Sequence, residues 1–219
     1  MDIETGTSCV ISEIKMFGDV VIRWVSGEYS GPMLPNYKSI STPIISTVDT
    51  TFGILRLDHS VSNVPHLFDA IDYMTAATGF HEFAEFCSAD IGTLDSGLNS
   101  MVLASNNEMV LLPINEPTFG TKRQSQIQTF LDHNNGAGLQ HLALLSENIF
   151  ATVSAMRKRG ECGFEFMTRP SSEYYSKVPG RIGKDILSQA QLIELEDLGI
   201  LADRDDQVSF SMAQFNVAI

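Results

Sequence analysis

Two short segments carry the residues best suited to chemistry. Leu57-Asp58-His59-Ser60-Val61 and Leu139-Gln140-His141-Leu142-Ala143 each set a leucine and a histidine on alternating positions, the pattern of a half-buried strand. Side chains along a strand alternate with period two, so His59 shares a face with Leu57 and Val61, and His141 with Leu139 and Ala143. Both imidazoles are therefore expected to point inward. A buried neutral imidazole is costly without a partner. Two explanations are open, hydrogen-bonded core histidines or two ligands of one metal ion, and the same placement in two segments favours ligation. A catalytic ferrous site of this kind takes two histidines and one carboxylate on one face of the ion.

The remaining histidines are weaker candidates. His66 falls in the first turn of a helix, His81 at a strand start beside Glu82, and His133 in the polar run Asp132-His133-Asn134-Asn135-Gly136. All three read as surface residues. Ser100 alternates with Val102, Asn115 ends a strand after Pro113-Ile114, and Gln126, Gln128 and Gln140 gather around the second histidine segment. Such amides can hold a carboxylate-bearing substrate without adding charge to a metal site, or can simply cap loops. The residues alone leave both open.

The elements that must position these side chains form an internal repeat. In the first copy a strand over 54–62 leads into a helix opened by Pro65, with Leu67, Phe68, Ile71, Met74 and Thr75 on one face and Gly79 at its end. Strands over 80–86, 99–104 and 109–114 follow, the last two joined at Asn106-Asn107. In the second copy a strand over 138–145 leads into a helix capped by Ser146 or Asn148, carrying Ile149, Val153 and Met156 and closed by Gly160. An insertion follows, holding Tyr174, Tyr175 and a helix with a Ser188/Gln191 capping box, a Leu192, Leu195, Leu198 stripe and Gly199 at its end. A strand is expected to begin at Ile200 and run into the charged turn at Asp203-Arg204-Asp205-Asp206-Gln207. Residues 1–52 offer one strand candidate, 18–25, and then a run rich in Pro, Gly and Ser, which reads as the remnant of a preceding domain plus a linker.

Composition bounds the partners. The 219 residues are 43% hydrophobic and 19% charged, the balance of a globular chain with one or two domains. A net charge of −13 argues against nucleic acid, whose binding is driven by Lys and Arg displacing counterions. No apolar run reaches the length of a membrane span, and Met1-Asp2-Ile3-Glu4 lacks a secretory pattern. Cys9, Cys87 and Cys162 are odd in number and far apart, which fits reduced structural thiols and a cytoplasmic setting.

Longer motifs then point to a family. Arg56-Leu57-Asp58-His59, Thr78-Gly79-Phe80-His81, the run Glu108-Met109-Val110-Leu111-Leu112-Pro113-Ile114-Asn115-Glu116-Pro117 and the run Gly136-Ala137-Gly138-Leu139-Gln140-His141-Leu142-Ala143-Leu144 closely resemble the 4-hydroxyphenylpyruvate dioxygenases, their plant members above all. Gly120-Thr121-Lys122-Arg123 and the stretch from Leu198 to Gln207 extend the likeness. The resemblance implies an α+β vicinal-oxygen-chelate (glyoxalase/dioxygenase-like) fold of βαβββ modules. It implies that His59 and His141 are two of three Fe(II) ligands. It further implies that Ser100, Asn115, Gln126 and Gln140 line the substrate pocket and that Pro113 shapes its wall. The implied reaction takes 4-hydroxyphenylpyruvate and O2 to homogentisate and CO2, by oxidative decarboxylation and ring hydroxylation with side-chain migration. Homogentisate formation belongs to tyrosine catabolism and to the supply of plastoquinone and tocopherol precursors.

The likeness stops near Gln207. The family's third ligand, a glutamate on a late strand, is expected beyond that point, where residues 208–219 contain no Asp, Glu or His. The expectation is thus a catalytic domain over 53–207, with a first unit at 53–117, an incomplete second unit at 136–207, and a non-matching tail at 208–219. A truncated, catalytically inactive form is the competing reading. In that case the partner is a second copy or the full-length enzyme. A plastid location stays open if the natural N-terminus lies upstream. An extradiol dioxygenase or glyoxalase-like lyase of the same fold is a further alternative, disfavoured by the motif around Pro113-Ile114-Asn115.

Overall fold

A computed structural model describes residues 7–31, 33–38, 51–86, 97–120, 123–159 and 165–202. It contains β1 (Cys9–Phe17), β2 (Val20–Gly27), β3 (Ile54–Asn63), α1 (Leu67–Thr78), β4 (His81–Phe86), β5 (Leu98–Ala104), β6 (Leu111–Pro117), α2 (Gln126–His133), β7 (Gly138–Ser146), α3 (Ile149–Lys158), α4 (Ser172–Ile182) and α5 (Gln189–Leu198). The fold is α+β. β1 pairs with β2, and the other strands follow the order β4-β5-β6-β3-β7. The chain divides into two compact units, residues 1–48 with 62–140 and residues 49–61 with 141–219, so β3 and β7 each contribute to both.

β3, α1, β4, β5 and β6 follow one another along the chain in the βαβββ order expected from sequence, with the end of β3 and the other four elements in the first unit. Leu67, Ile71 and Met74 of α1 recur at helical spacing and bury against Met101, Leu103 and Ile114 of β5 and β6. Phe68, expected on that face, is instead 63% exposed. It sits one residue past Leu67, about 100° around the helix, so the buried stripe passes it by. Gly79 ends α1 at φ 71, a left-handed position that glycine takes without steric cost. His66 is the N-cap residue but its side chain caps nothing. Glu116 of β6 does this work from a distance: Oε2 accepts from the Leu67 N–H at 2.8 Å, and Oε1 accepts from Asn99 Nδ2 at 2.9 Å.

The N-terminal segment departs from the single strand expected there. β1 and β2 form an antiparallel hairpin turned at Gly18-Asp19, and Met16, Phe17 and Ile22 pack against the core of the first unit. Gly18 is required twice over: its φ is +52, and a Cβ there would lie 2.5 Å from the Ala137 carbonyl oxygen. β6 begins at Leu111, two residues later than expected, because Met109 and Val110 stay exposed beyond the turn held by Asn107. α2 replaces the loop expected around His133 and is capped by Ser125, whose Oγ accepts from the Ile127 N–H.

The second unit is built on most of β3 and β7 with α3, α4 and α5. Beside the end of β7, the Glu147 N–H donates to the Gly53 carbonyl, just before β3 starts, so the two strands run antiparallel. Asn148, not Ser146, caps α3; Ser146 instead pairs with Thr152. The core joins Ile149 and Val153 to Tyr175, Val178, Ile182 and Leu195. The insertion holds two helices where sequence suggests one, since Pro179 and Gly180 disguise α4. α5 carries the full Ser188/Gln191 capping box and ends at a left-handed Gly199. Ile200–Ala202 form no strand, because Tyr174 Oη binds both the N–H and the carbonyl of Ala202. Gly160, Cys87, Cys162, Asp203, Asp205, Asp206 and the tail 208–219 lie outside the described residues. Among the described residues no helix is long and apolar enough to cross a membrane.

Candidate functional site

In the second unit, β3 and β7 bring His59 and His141 together. The ring centroids are 6.0 Å apart with the planes at 70°. His59 Nδ1 lies 2.9 Å from Asp58 Oδ2, and Asp58 Oδ1 pairs with Arg56 Nη2 at 3.1 Å. An ionised carboxylate can only accept, so this contact places the proton of His59 on Nδ1 and leaves Nε2 with its lone pair. The His59 and Asp58 side chains are each 13% exposed, enough desolvation to strengthen the bond between them. His141 is half-buried, and its pKa is lowered from the ordinary 6.5, first by burial and then by the neighbouring His59. Both effects favour a neutral ring nitrogen, the form that binds metal. Leu57 and Leu139, expected to point inward with the histidines, are 50% and 44% exposed. Among the described residues no three of His, Cys, Asp and Glu converge, so the donor set there is two imidazoles.

The amides gather in the first unit. Ser100 stands opposite Asn115 in the β5–β6 register, and Pro113 opposite Val102, so all four side chains share the sheet face turned away from α1. Ser100 and Asn115 are buried, Pro113 and Gln140 half-buried. Asn115 Nδ2 and Gln140 Nε2 both donate to Asn63 Oδ1, each at 3.1 Å. Asn63, which sequence reasoning passes over, is thus the hub of the cluster. Its Nδ2 is buried and unpartnered among the described residues, a cost of roughly 1–3 kcal/mol. One signal for it exists in the sequence: Asn63 keeps the strand parity of His59, four residues on. Gln126 is not brought into this group; it is the exposed first residue of α2. His66, His81 and His133 are exposed, as expected, with His81 Nε2 3.8 Å from Glu108 Oε1.

Comparison with known proteins assigns the family. The pattern that defines the glyoxalase/bleomycin resistance protein/dioxygenase superfamily matches residues 56–183. The chain belongs to this superfamily. Within the superfamily it is similar to 4-hydroxyphenylpyruvate dioxygenase from Daucus carota, 54% identical over 94% of this chain and 46% of that protein. It is similar to the enzyme of the same name from Arabidopsis thaliana, 55% identical over 90% of this chain and 45% of that protein. The chain therefore spans about half the length of the curated relatives it matches. A mutant of 4-hydroxymandelate synthase from Streptomyces coelicolor shares the superfamily fold, with a TM-score of 0.60 at 20% identity, covering 92% of this chain and 55% of that one.

Proposed function

We propose that this chain carries part of the iron and substrate machinery of a dioxygenase that converts 4-hydroxyphenylpyruvate and O2 to homogentisate and CO2. The observation that carries the reading is the pairing of His59 with His141. The names of the relatives support the substrate. Fe(II), when bound, supplies the O2 chemistry. His59 and His141 would hold it through neutral ring nitrogens, with a carboxylate from outside the described residues as third donor. Asp58 keeps the Nδ1 proton of His59 in place. Ser100, Asn115 and Gln140, with Gln126 by family likeness, hold the substrate's oxygen atoms by neutral hydrogen bonds, and Pro113 limits the room beside them. The atoms balance: one oxygen enters the new carboxylate, the other the ring.

Free Cys9 supports a reducing, cytoplasmic setting, which fractionation of cells would check. Exposed Leu55 and Leu57 on β3, with Leu142 and Leu144 on β7, support association with a second copy or a longer relative, readable by light scattering. The activity is tested by substrate-dependent O2 uptake with added Fe(II), with homogentisate identified by mass spectrometry. Turnover lost in both His59→Ala and His141→Ala is the expected result. No turnover, beside an active longer relative in the same assay, would assign the non-catalytic reading instead.

A further inference from the structure

The β1–β2 hairpin has two faces, and one of them is covered: Met16 and Ile22 pack into the core of the first unit, beside α1. The opposite face is made of three directly opposed pairs, Ile11 with Val25, Glu13 with Arg23 and Lys15 with Val21. All six residues are exposed. Alternation normally gives the outer face of a strand polar residues, yet Ile11, Val21 and Val25 are apolar and β-branched. A two-stranded sheet is marginal in water on its own, and an apolar outer face asks for cover. The ion pair at the centre of this face is half used. Arg23 Nε and Nη2 both donate to Glu13 Oε2, at 3.0 and 2.8 Å, which leaves Glu13 Oε1 and Arg23 Nη1 for a second pair. The whole chain carries a net charge of −13, while this face sets two cations, Lys15 and Arg23, against the one carboxylate of Glu13. Copies that repel one another elsewhere can therefore approach here.

Two such faces can meet in two symmetric ways. A two-fold axis across the strands would set Glu13 on Glu13 and Arg23 on Arg23. A two-fold axis parallel to the strands lays β1 of one copy over β2 of the other, at the same height. Glu13 then faces Arg23 of the second copy, Ile11 faces Val25, and the aliphatic stem of Lys15 faces Val21. We propose that the outward face of the β1–β2 hairpin docks on the same face of a second copy of this chain, with each Glu13 paired to Arg23 of the other copy. The contact uses none of the exposed leucines of β3 and β7, and it holds whatever the chain catalyses. Two strands offer less than the roughly 800 Å² per partner of a standard interface, so the dimer is weak.

The test is sedimentation equilibrium of the whole chain, run into the high micromolar range, with one charge reversed at a time. Arg23→Glu leaves two carboxylates at the centre of the face, and Glu13→Arg leaves two guanidinium groups. Each variant alone is expected to associate about tenfold or more weakly than the natural chain, because like charges then meet across the contact. An equal mixture of the two variants is expected to associate again, since each copy meets the opposite charges on the other. A hairpin that had merely lost its shape could not recover in this way. The thermal midpoint of each variant is expected to stay close to that of the natural chain, because an exposed ion pair contributes little to stability. A natural chain that stays monomeric overturns the proposal. So does a single variant that associates as well as the natural chain, or a mixture that stays as monomeric as its components.

Discussion

Asp58 Oδ2 accepts from His59 Nδ1 at 2.9 Å, although the two residues are neighbours in one strand. Alternation should send them to opposite faces. The carboxylate is held in turn by Arg56, so an ion pair anchors the group that orients the imidazole. Partners of this kind raise ligand basicity and lock the tautomer, and losing one typically costs 10–100-fold in metal affinity. Asp58→Asn is therefore expected to weaken Co(II) or Fe(II) binding by about that factor with little change in the far-ultraviolet spectrum. Unchanged affinity, measured by calorimetry, would make the contact incidental.

His141 should titrate below 6.5, for two causes that can be separated. Burial is the larger and the charge on His59 the smaller. His59→Gln removes the second only, so the His141 midpoint should rise part of the way back toward 6.5. The sign for stability follows. A histidine whose folded pKa is lowered binds its proton more weakly folded than unfolded, so the unfolded state gains protons first. The contribution is complete above 6.5 and is lost as pH falls from there toward the folded value. His141→Gln should flatten stability against pH across that window. Proton NMR and denaturant melts at several pH values check both statements; a midpoint above 6.5 would contradict them.

The contrast between Met74 and Phe68 shows what sequence periodicity can and cannot resolve. Both read as members of one apolar stripe, yet Met74 is 0% and Phe68 63% exposed. Met74→Ala is expected to cost roughly 2–5 kcal/mol through the cavity it leaves. Phe68→Ala should change stability by no more than about 0.5 kcal/mol. Equal effects in urea melts would mean that the α1 face is misassigned.

What was legible from sequence had short-range causes. The βαβββ order, Gly79 and Gly199 as helix ends, and the Ser188/Gln191 box all depend on residues within a few positions of one another. The histidine pair was legible because two segments repeat one pattern. β1 was missed because Cys9–Phe17 mixes polar and apolar residues without clean alternation, and only its pairing with β2 makes it a strand. α2 was hidden by its amides and by a loop-like Asn-Asn-Gly at its end. Asn63 reads locally as a turn former beside Pro65, and its role depends on side chains 52 and 77 residues away.

Glu116 gives the sharpest test of such long-range causes. The first turn of a helix leaves N–H groups without partners, and a neighbouring Ser, Thr, Asp or Asn normally supplies one. α1 has His66 there, which supplies none. Glu116, 49 residues on, accepts from the Leu67 N–H and also from Asn99, tying the start of the helix to β5 and β6. Hydrogen bonds to a charged group contribute about 1.5–3 kcal/mol each. Glu116→Ala should therefore destabilise the chain by about 2 kcal/mol or more, and amide exchange at Leu67 should speed up more than at Met74. His66→Ser offers a local cap and is expected to restore about 1 kcal/mol of the loss. If the second substitution restores nothing in the Glu116→Ala background, the carboxylate holds the strands and not the helix.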